Sequence, residues 1–357
     1  LALVAAKVRR TKVKPPPGPA EVDPVARVVV DVPLPHLDRT FDYVVPEPLS
    51  ATARPGTRVR VRFSGKLVDG WVVERVAAST HTGRLERLAK VVSPDPVLAP
   101  QIVGVARAVA DRWAGTLADV LRAAVPPRHA ATESAVDALP GTDLAPVARP
   151  RDAGPWTAYT GGTALVARVG DPSVAFAPDE PGPRAVWTAG PGEDPAAAIA
   201  VLVQAAAAAG RGALVVAPDA RDVRRLDDAL SARLGPGHHR VLTADLGPAA
   251  RYRAYLEVRR GRASVVVGTR AAVFAPVHDL GLVVLWDDGD DSLADPHAPY
   301  WHAREVLVLR SVQTGAALLL GATARSVEAQ SLVGSGWARE VVLPRTEHRR
   351  RRPRIVT

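Results

Sequence analysis

Cysteine and methionine are both absent from this chain of 357 residues. The first absence excludes disulfides and thiolate metal sites within it. The second extends to the first position, Leu1, so an initiator is missing and a fragment or trimmed chain is expected. Long apolar runs are lacking too, since none reaches the roughly 18 residues needed to span a bilayer. The opening run Leu1 to Ala6 is too short for a signal-peptide core, and Lys7, Arg9 and Arg10 follow it where a signal peptide has its charges in front. A soluble, cytoplasmic protein is expected.

What is present is apolar and basic. Hydrophobic residues make up 47% of the chain, enough for real cores, and the length suits two or three domains. The formal net charge is +9, carried mostly by arginine, whose planar fork suits phosphate. That balance either marks a polyanion partner such as nucleic acid or is ordinary solubility charge in an alanine- and arginine-rich sequence.

Residues 1–21 read as a basic, proline-rich tail. Lys7, Arg9, Arg10, Lys12 and Lys14 precede Pro15, Pro16 and Pro17, which remove donors and fix φ. Residues 22–98 read as β. Val25 to Val32 is rich in β-branched residues, Arg58 to Phe63 alternates arginine with apolar residues, and Trp71 to Val76 is a further strand after Gly65 and Gly70. A small barrel or open β domain is expected there. Over 99–153, Ile102 to Trp113 and Thr116 to Ala124 have helical spacing around Gly115, which fits a winged-helix-like module or any small helical linker domain. Pro126 to Pro155, rich in Pro, Ala, Asp and Arg, is expected to contain a mobile loop.

Residues 154–344 alternate strand and helix. Ala185 to Trp187, Gly212 to Val216, Ser264 to Val267, Leu282 to Leu285 and Ala317 to Leu320 are apolar runs without alternation, as in strands covered on both faces. The expectation is a parallel α/β lobe of RecA size. His348 to Arg354, within 345–357, reads as a basic tail or linker.

A nucleotide-hydrolysing lobe needs a phosphate loop, G-x-x-x-x-G-K-S/T, after its first strand. The sequence there is AGPGEDPAAA. Gly190 and Gly192 still permit a tight turn, but Glu193 and Asp194 stand where Lys and Ser/Thr belong. They face a triphosphate with like charge, or simply favour the N-terminus of the next helix. A second signature is an acidic cluster that holds magnesium at a strand end. Here it reads WDDGDD: Trp286, then Asp287 and Asp288, Gly289, Asp290 and Asp291. This knot is either a metal site or a solvated turn.

Several separated segments resemble the first part of the PriA family, the primosomal protein N′ of replication restart. FDYVVPE (Phe41 to Glu47) after VVVDVPLPHLDRT is similar to its N-terminal domain. GTRAAVFAP (Gly268 to Pro276), WDDGDD and YWHARE (Tyr300 to Glu305) follow its G-T-R-S-A-x-F-x-P, D-E-E-H-D and Y-H-x-R-D, and GATARSVEA (Gly321 to Ala329) follows its S-A-T-P. The order holds over roughly 25–344. The resemblance implies a multidomain α/β protein. Its parts would be a small β-rich 3′-end DNA-binding domain over 22–98, a winged-helix-like domain and linker over 99–153, and a degenerate RecA-like helicase lobe over 154–344. It also implies a 3′-end pocket at Phe41, Asp42, Ser64 and Gly65. From the residues alone, Phe41 reads as a core aromatic and Asp42 as a turn cap. The family's pocket lysine falls near Glu86 and Arg87.

Backbone contacts to DNA are expected from Arg58, Arg60 and Arg62, on one face of a strand, and from Arg270. The degenerate nucleotide site is placed at Gly190, Gly192, Glu193, Asp194, Asp287 and Asp288. No catalytic residue, metal ligand or cofactor is assigned to this chain, although ATP with magnesium, and zinc, belong to the wider family. The departures match a branch of the family that lacks helicase motifs, known in high-GC Gram-positive bacteria. The function implied is recognition of stalled or abandoned forks and initiation of restart without unwinding, the alternative being an active 3′-5′ helicase with a noncanonical nucleotide site. Forked DNA is the implied partner, together with other primosome proteins, a single-stranded DNA-binding protein and a loader of the replicative helicase.

Overall fold

The computed structural model describes residues 17–141 and 144–353. Most of the expected basic tail, including Lys7 to Lys14, lies outside the described residues, as does the end of the C-terminal basic run. The described residues divide into two compact units, one over 17–30 and 40–96 and one over 31–39 and 97–353.

The first unit is an antiparallel sheet of β1 (Val25–Val30), β2 (Thr40–Val44), β3 (Arg58–Phe63), β4 (Lys66–Val76) and β5 (Leu88–Val91), in the order β2-β1-β4-β3-β5. The alternation along β3 does what a period of two requires: Val59 and Val61 are buried, while Arg60 and Arg62 are exposed. Ser64 and Gly65 form the two-residue β3–β4 turn, both at positive φ (49° and 78°), as the mirror-image hairpin turn demands. Gly70 lies where β4 crosses β1, and a Cβ there would come 2.7 Å from the Val29 carbonyl oxygen. The sheet curls on itself. Tyr43 Oη of β2 donates to the Arg62 carbonyl of β3 at 3.2 Å, although two strands separate them in the sheet order.

The second unit is built on a seven-stranded, wholly parallel sheet: β6 (Arg184–Thr188), β7 (Gly212–Val216), β8 (His239–Leu242), β9 (Val265–Gly268), β10 (Leu280–Trp286), β11 (Ala317–Ala322) and β12 (Arg339–Val341). Their order is β12-β6-β11-β10-β7-β9-β8. Strands β7, β9, β10 and β11 are buried along their whole length, as their unbroken apolar sequences require. This order sets the ends of β6, β11 and β10 side by side, at the carboxyl edge where open α/β sheets bind ligands.

The helices expected over 99–153 are present as α1 (Pro100–Arg112) and α2 (Leu117–Ala124), the latter capped by Thr116 Oγ1, which accepts from Asp119 N at 3.1 Å. They belong to the second unit, and no β-strand lies between residues 125 and 183 among the described residues. The segment expected to contain a mobile loop also forms α3 (Ala130–Asp137), because Glu133 is buried there with Arg128 and the Tyr252 hydroxyl as partners. Further helices are α4 (Gly162–Val169), α5 (Pro195–Ala208), α6 (Ala220–Leu234), α7 (Gly247–Arg259), α8 (Ala303–Thr314), α9 (Val327–Gly334) and α10 (Arg345–Arg351). The last replaces part of the expected basic tail. No helix among the described residues is long and apolar enough to cross a membrane.

Candidate nucleic-acid interface and altered nucleotide site

The turn after β6 is where a phosphate loop would lie. Gly192 takes φ 72°, and Glu193 N bonds back to the Gly190 carbonyl at 3.1 Å, so a tight turn does form. Asp194 is the N-cap of α5, accepting from Ala196 N and Ala197 N at 3.1 and 3.2 Å. Its carboxylate thereby takes up the N–H groups that a phosphate would use. Glu193 is bound as well. Its Oε2 accepts from Tyr159 Oη at 2.9 Å and pairs with Arg351 of α10 at 3.2 Å. The same Tyr159 oxygen accepts from Gly190 N at 2.9 Å, and burial, aided by the Glu193 carboxylate, raises the phenol's pKa. At Gly190 a Cβ would fall 2.0 Å from Leu343, so the turn is closely covered.

Aromatic rings fill the edge beside this turn. Trp187 near the end of β6 packs against Trp156 (4.8 Å between centroids), Tyr159 (5.8 Å) and Trp286 at the end of β10 (5.7 Å). Gly321 of β11 lies between the two strands. A Cβ there would come 2.8 Å from Trp187 and 3.3 Å from Trp286.

The expected carboxylates part company. Asp288 is buried, with its Oδ2 accepting from Ser326 Oγ at 2.5 Å and pairing with Arg304 at 3.4 Å, while Arg304 also donates to the Asp288 carbonyl. Asp287 takes φ 55°, and burial together with Asp290, Asp222 and Asp288 pushes its carboxyl up. Glu193, Asp194 and Trp286 border a groove of about 730 Å³ that also runs along Asp222 and Arg225 of α6. Chemically, the residues at the turn do not fit a nucleoside triphosphate with magnesium. No lysine stands in the loop sequence, and a carboxylate within 4 Å of a phosphate is repelled by about 4 kcal/mol at a surface-like dielectric.

In the first unit the four expected pocket residues do not all converge. Phe41 and Asp42 are successive strand residues and point to opposite faces. Phe41 shares the inner side with Phe63, edge-on at 4.8 Å, and Ser64 and Gly65 follow Phe63 directly. A Cβ on Gly65 would meet nothing within 4 Å, so the space beside that turn is open. Asp42 faces the other side, where Ser79 Oγ donates to it at 2.5 Å and Arg27 Nε stands 3.9 Å away. Ser79 was not visible as a partner in the sequence, since it lies 37 residues along the chain.

The expected backbone cations differ among themselves. Arg58 lies over the Trp71 ring at 5.8 Å, and Arg60 pairs with Asp69, its cross-strand neighbour, at 2.8 Å. Arg62 is exposed. Arg270 is used inside its own unit, donating to the carbonyls of Ser292 and Ala294 at 2.5 and 2.9 Å and pairing with Asp295 at 3.3 Å. The contributions of Tyr159, Trp156, Ser326 and Arg351 escape sequence reasoning. Tyr159 and Trp156 stand in no motif, Ser326 and Arg351 lie in segments noted for other reasons, and each is brought in from a distant part of the chain.

The model of the 3′DNA-binding domain (3′BD) family matches residues 27–126. The chain is 50% identical over 323 residues, 90% of its length, to the probable replication restart protein PriA of Mycobacterium tuberculosis, and 47% identical over the same share to that of Mycobacterium leprae. It spans about half the length of these relatives, 48% in each case. The replication restart protein PriA of Treponema pallidum is 29% identical over 140 residues, 39% of this chain and 21% of that one. Among solved structures, the C-terminal domain of Dbp5 from S. cerevisiae overlays at a TM-score of 0.34 with 17% identity, covering 45% of this chain and 89% of that one, too weakly to bear on function. With half its residues shared over nine-tenths of its length, and with the 3′DNA-binding domain in place, the chain belongs to the PriA family of replication restart proteins.

Proposed function

We propose that this chain recognises DNA forks through the 3′ end of the nascent strand and contributes to replication restart without hydrolysing ATP. The observation that carries the reading is the match of residues 27–126 to the 3′DNA-binding domain, with the open Ser64–Gly65 turn beside the Phe41–Phe63 ring pair inside that span. A terminal base has one unstacked face, and an aromatic ring can take the place of the next base, typically for ~1–3 kcal/mol. Asp42 follows Phe41 along β2, an edge strand of its sheet, and in this reading the terminal nucleotide wraps that edge to meet both side chains. An ionised carboxylate accepts hydrogen bonds and donates none. It favours a free 3′-hydroxyl and repels a 3′-phosphate. The protein partners implied by the family belong to this same reading.

Binding to forks that differ only at the 3′ terminus tests it. Forks ending in a 3′-hydroxyl are expected to bind more tightly than forks ending in a 3′-phosphate. Asp42→Ala should abolish that difference while leaving general DNA binding in place. Equal binding of the two forks by the unaltered chain would remove the pocket assignment and leave Phe41 as a core aromatic.

A further inference from the structure

Most arginines of the second unit have an evident internal partner. On and around α7, Arg240 and Arg253 both bind Glu257, and Arg260 pairs with Asp137. Arg270, in the turn after β9, is tied to two carbonyls and to Asp295. Arg251 differs. Among the described residues it has neither an ion pair nor a hydrogen bond, yet it is half-buried, in a recess lined by Pro126, Leu242, Tyr255, Ala271 and Ala275. Burial with no neighbouring acid lowers its pKa below the usual arginine value. An unpaired cation held out of water opposes folding, and such a group is a candidate for function when it stands where a ligand can arrive.

The position satisfies that condition. Leu242 is the last residue of β8 and Ala271 follows the end of β9 by three residues, so the recess opens on the carboxyl edge of the sheet. Its volume of about 10 Å³ has room for about one water-sized group. A ligand that leaves only an oxygen in the recess, with the rest of its mass on the surface, is an extended polyanion. The alanines and proline at the rim allow a backbone to approach closely, and a guanidinium binds a phosphodiester through two parallel N–H groups.

We infer that Arg251 contacts a nucleic-acid phosphate, and that it, rather than Arg270, is the backbone-binding cation of this turn region. The inference rests on the DNA-binding reading above but is independent of the 3′-end pocket. The test is a salt titration of fork binding, with anisotropy as readout, for the unaltered chain and the variants Arg251→Ala, Arg251→Lys and Arg270→Ala. Removing one phosphate contact should reduce the slope of log K against log salt by about 1. For Arg251→Ala we expect that loss, an affinity about 3–10-fold lower near physiological salt, an unchanged melting temperature and an unchanged preference for the 3′-hydroxyl. Arg251→Lys should keep the slope, and Arg270→Ala should lower the melting temperature. An unchanged slope in Arg251→Ala, or an equal loss in Arg251→Lys, overturns the inference while leaving fork binding intact. Absence of fork binding by the unaltered chain overturns both readings.

Discussion

Trp286 and Gly321 are changed together, and neither is intelligible alone. In the family pattern their positions hold the first acid of D-E-E-H and the serine of S-A-T-P. Here the indole of Trp286 spreads toward Trp187 across Gly321, where a Cβ would stand 3.3 Å from one ring and 2.8 Å from the other. Gly321→Ser is therefore expected to destabilise the protein by about 1–3 kcal/mol through overpacking. A double-mutant cycle with Trp286→Ala should show coupling of at least ~0.5 kcal/mol, and additive costs in urea unfolding would contradict the pairing. Tyr43 makes a second prediction at this scale. Burial first, and Glu86 second, push its phenol up to about 12 from 10.0. The folded form thus keeps its proton over a range where the unfolded chain loses it. Stability from this group is complete below pH 10 and is lost as pH rises from 10 toward about 12. Tyr43→Phe should remove that alkaline loss, and at neutral pH should cost about 0.5–1.5 kcal/mol for the bond to the Arg62 carbonyl. Parallel alkaline unfolding curves for the two proteins would refute this.

The start of α5 explains, as an element, how a phosphate loop can keep its glycines and lose its ligand. Asp194 caps the helix from within, and Glu193 is held between the Tyr159 hydroxyl and Arg351 of α10. Asp194→Ala should cost about 1 kcal/mol as the loss of an N-cap. Glu193→Lys restores the charge of the missing lysine but sets it against Arg351 and abandons Tyr159. Calorimetric titration with magnesium ATP is expected to give no binding for this variant, and measurable binding would mean that the single lysine, rather than the rings and the covered turn, decides the matter. Helix α10 itself forms because Glu347 bonds both Arg350 and Arg351, three and four residues on. The same basic run reads as a tail when Glu193 is out of view.

For the molecule as a whole, neither the 46 basic side chains nor their net excess of +9 over the acidic ones counts the cations free to meet DNA. Arg60, Arg270 and Arg304 are engaged by carboxylates, and Arg211 and Arg310 by carbonyls. The slope of log K against log salt is therefore expected to correspond to a few phosphates, well short of nine. A slope near nine would show that more cations meet DNA than this expectation allows. DNA-stimulated phosphate release from ATP should not exceed a protein-free control, and release above it would reinstate the helicase reading.

Strand and helix placement was largely legible in the sequence. Arg58 to Phe63 and Gly212 to Val216 needed only periodicity and β-branched content, and their observed limits are the same. The helix at Ala130–Asp137 was not legible, because its reason for forming is Glu133 buried against Tyr252, 119 residues away. The sequence by itself determined that the phosphate-loop lysine is missing and that an acidic strand end is interrupted by Trp286, since these are identities at positions fixed by local order. Only the tertiary structure decided what replaces the nucleotide contacts: the ring of Trp187 and Trp286 across Gly321, the Tyr159–Glu193–Arg351 cluster, and the burial of Asp288 under Arg304 and Ser326. It also separated Arg270, with its charge satisfied inside the fold, from Arg251. The physical reason is common to all of these. Whether a charge or a ring is available depends on its partners, and a parallel sheet draws those partners from strands and helices far apart in the chain.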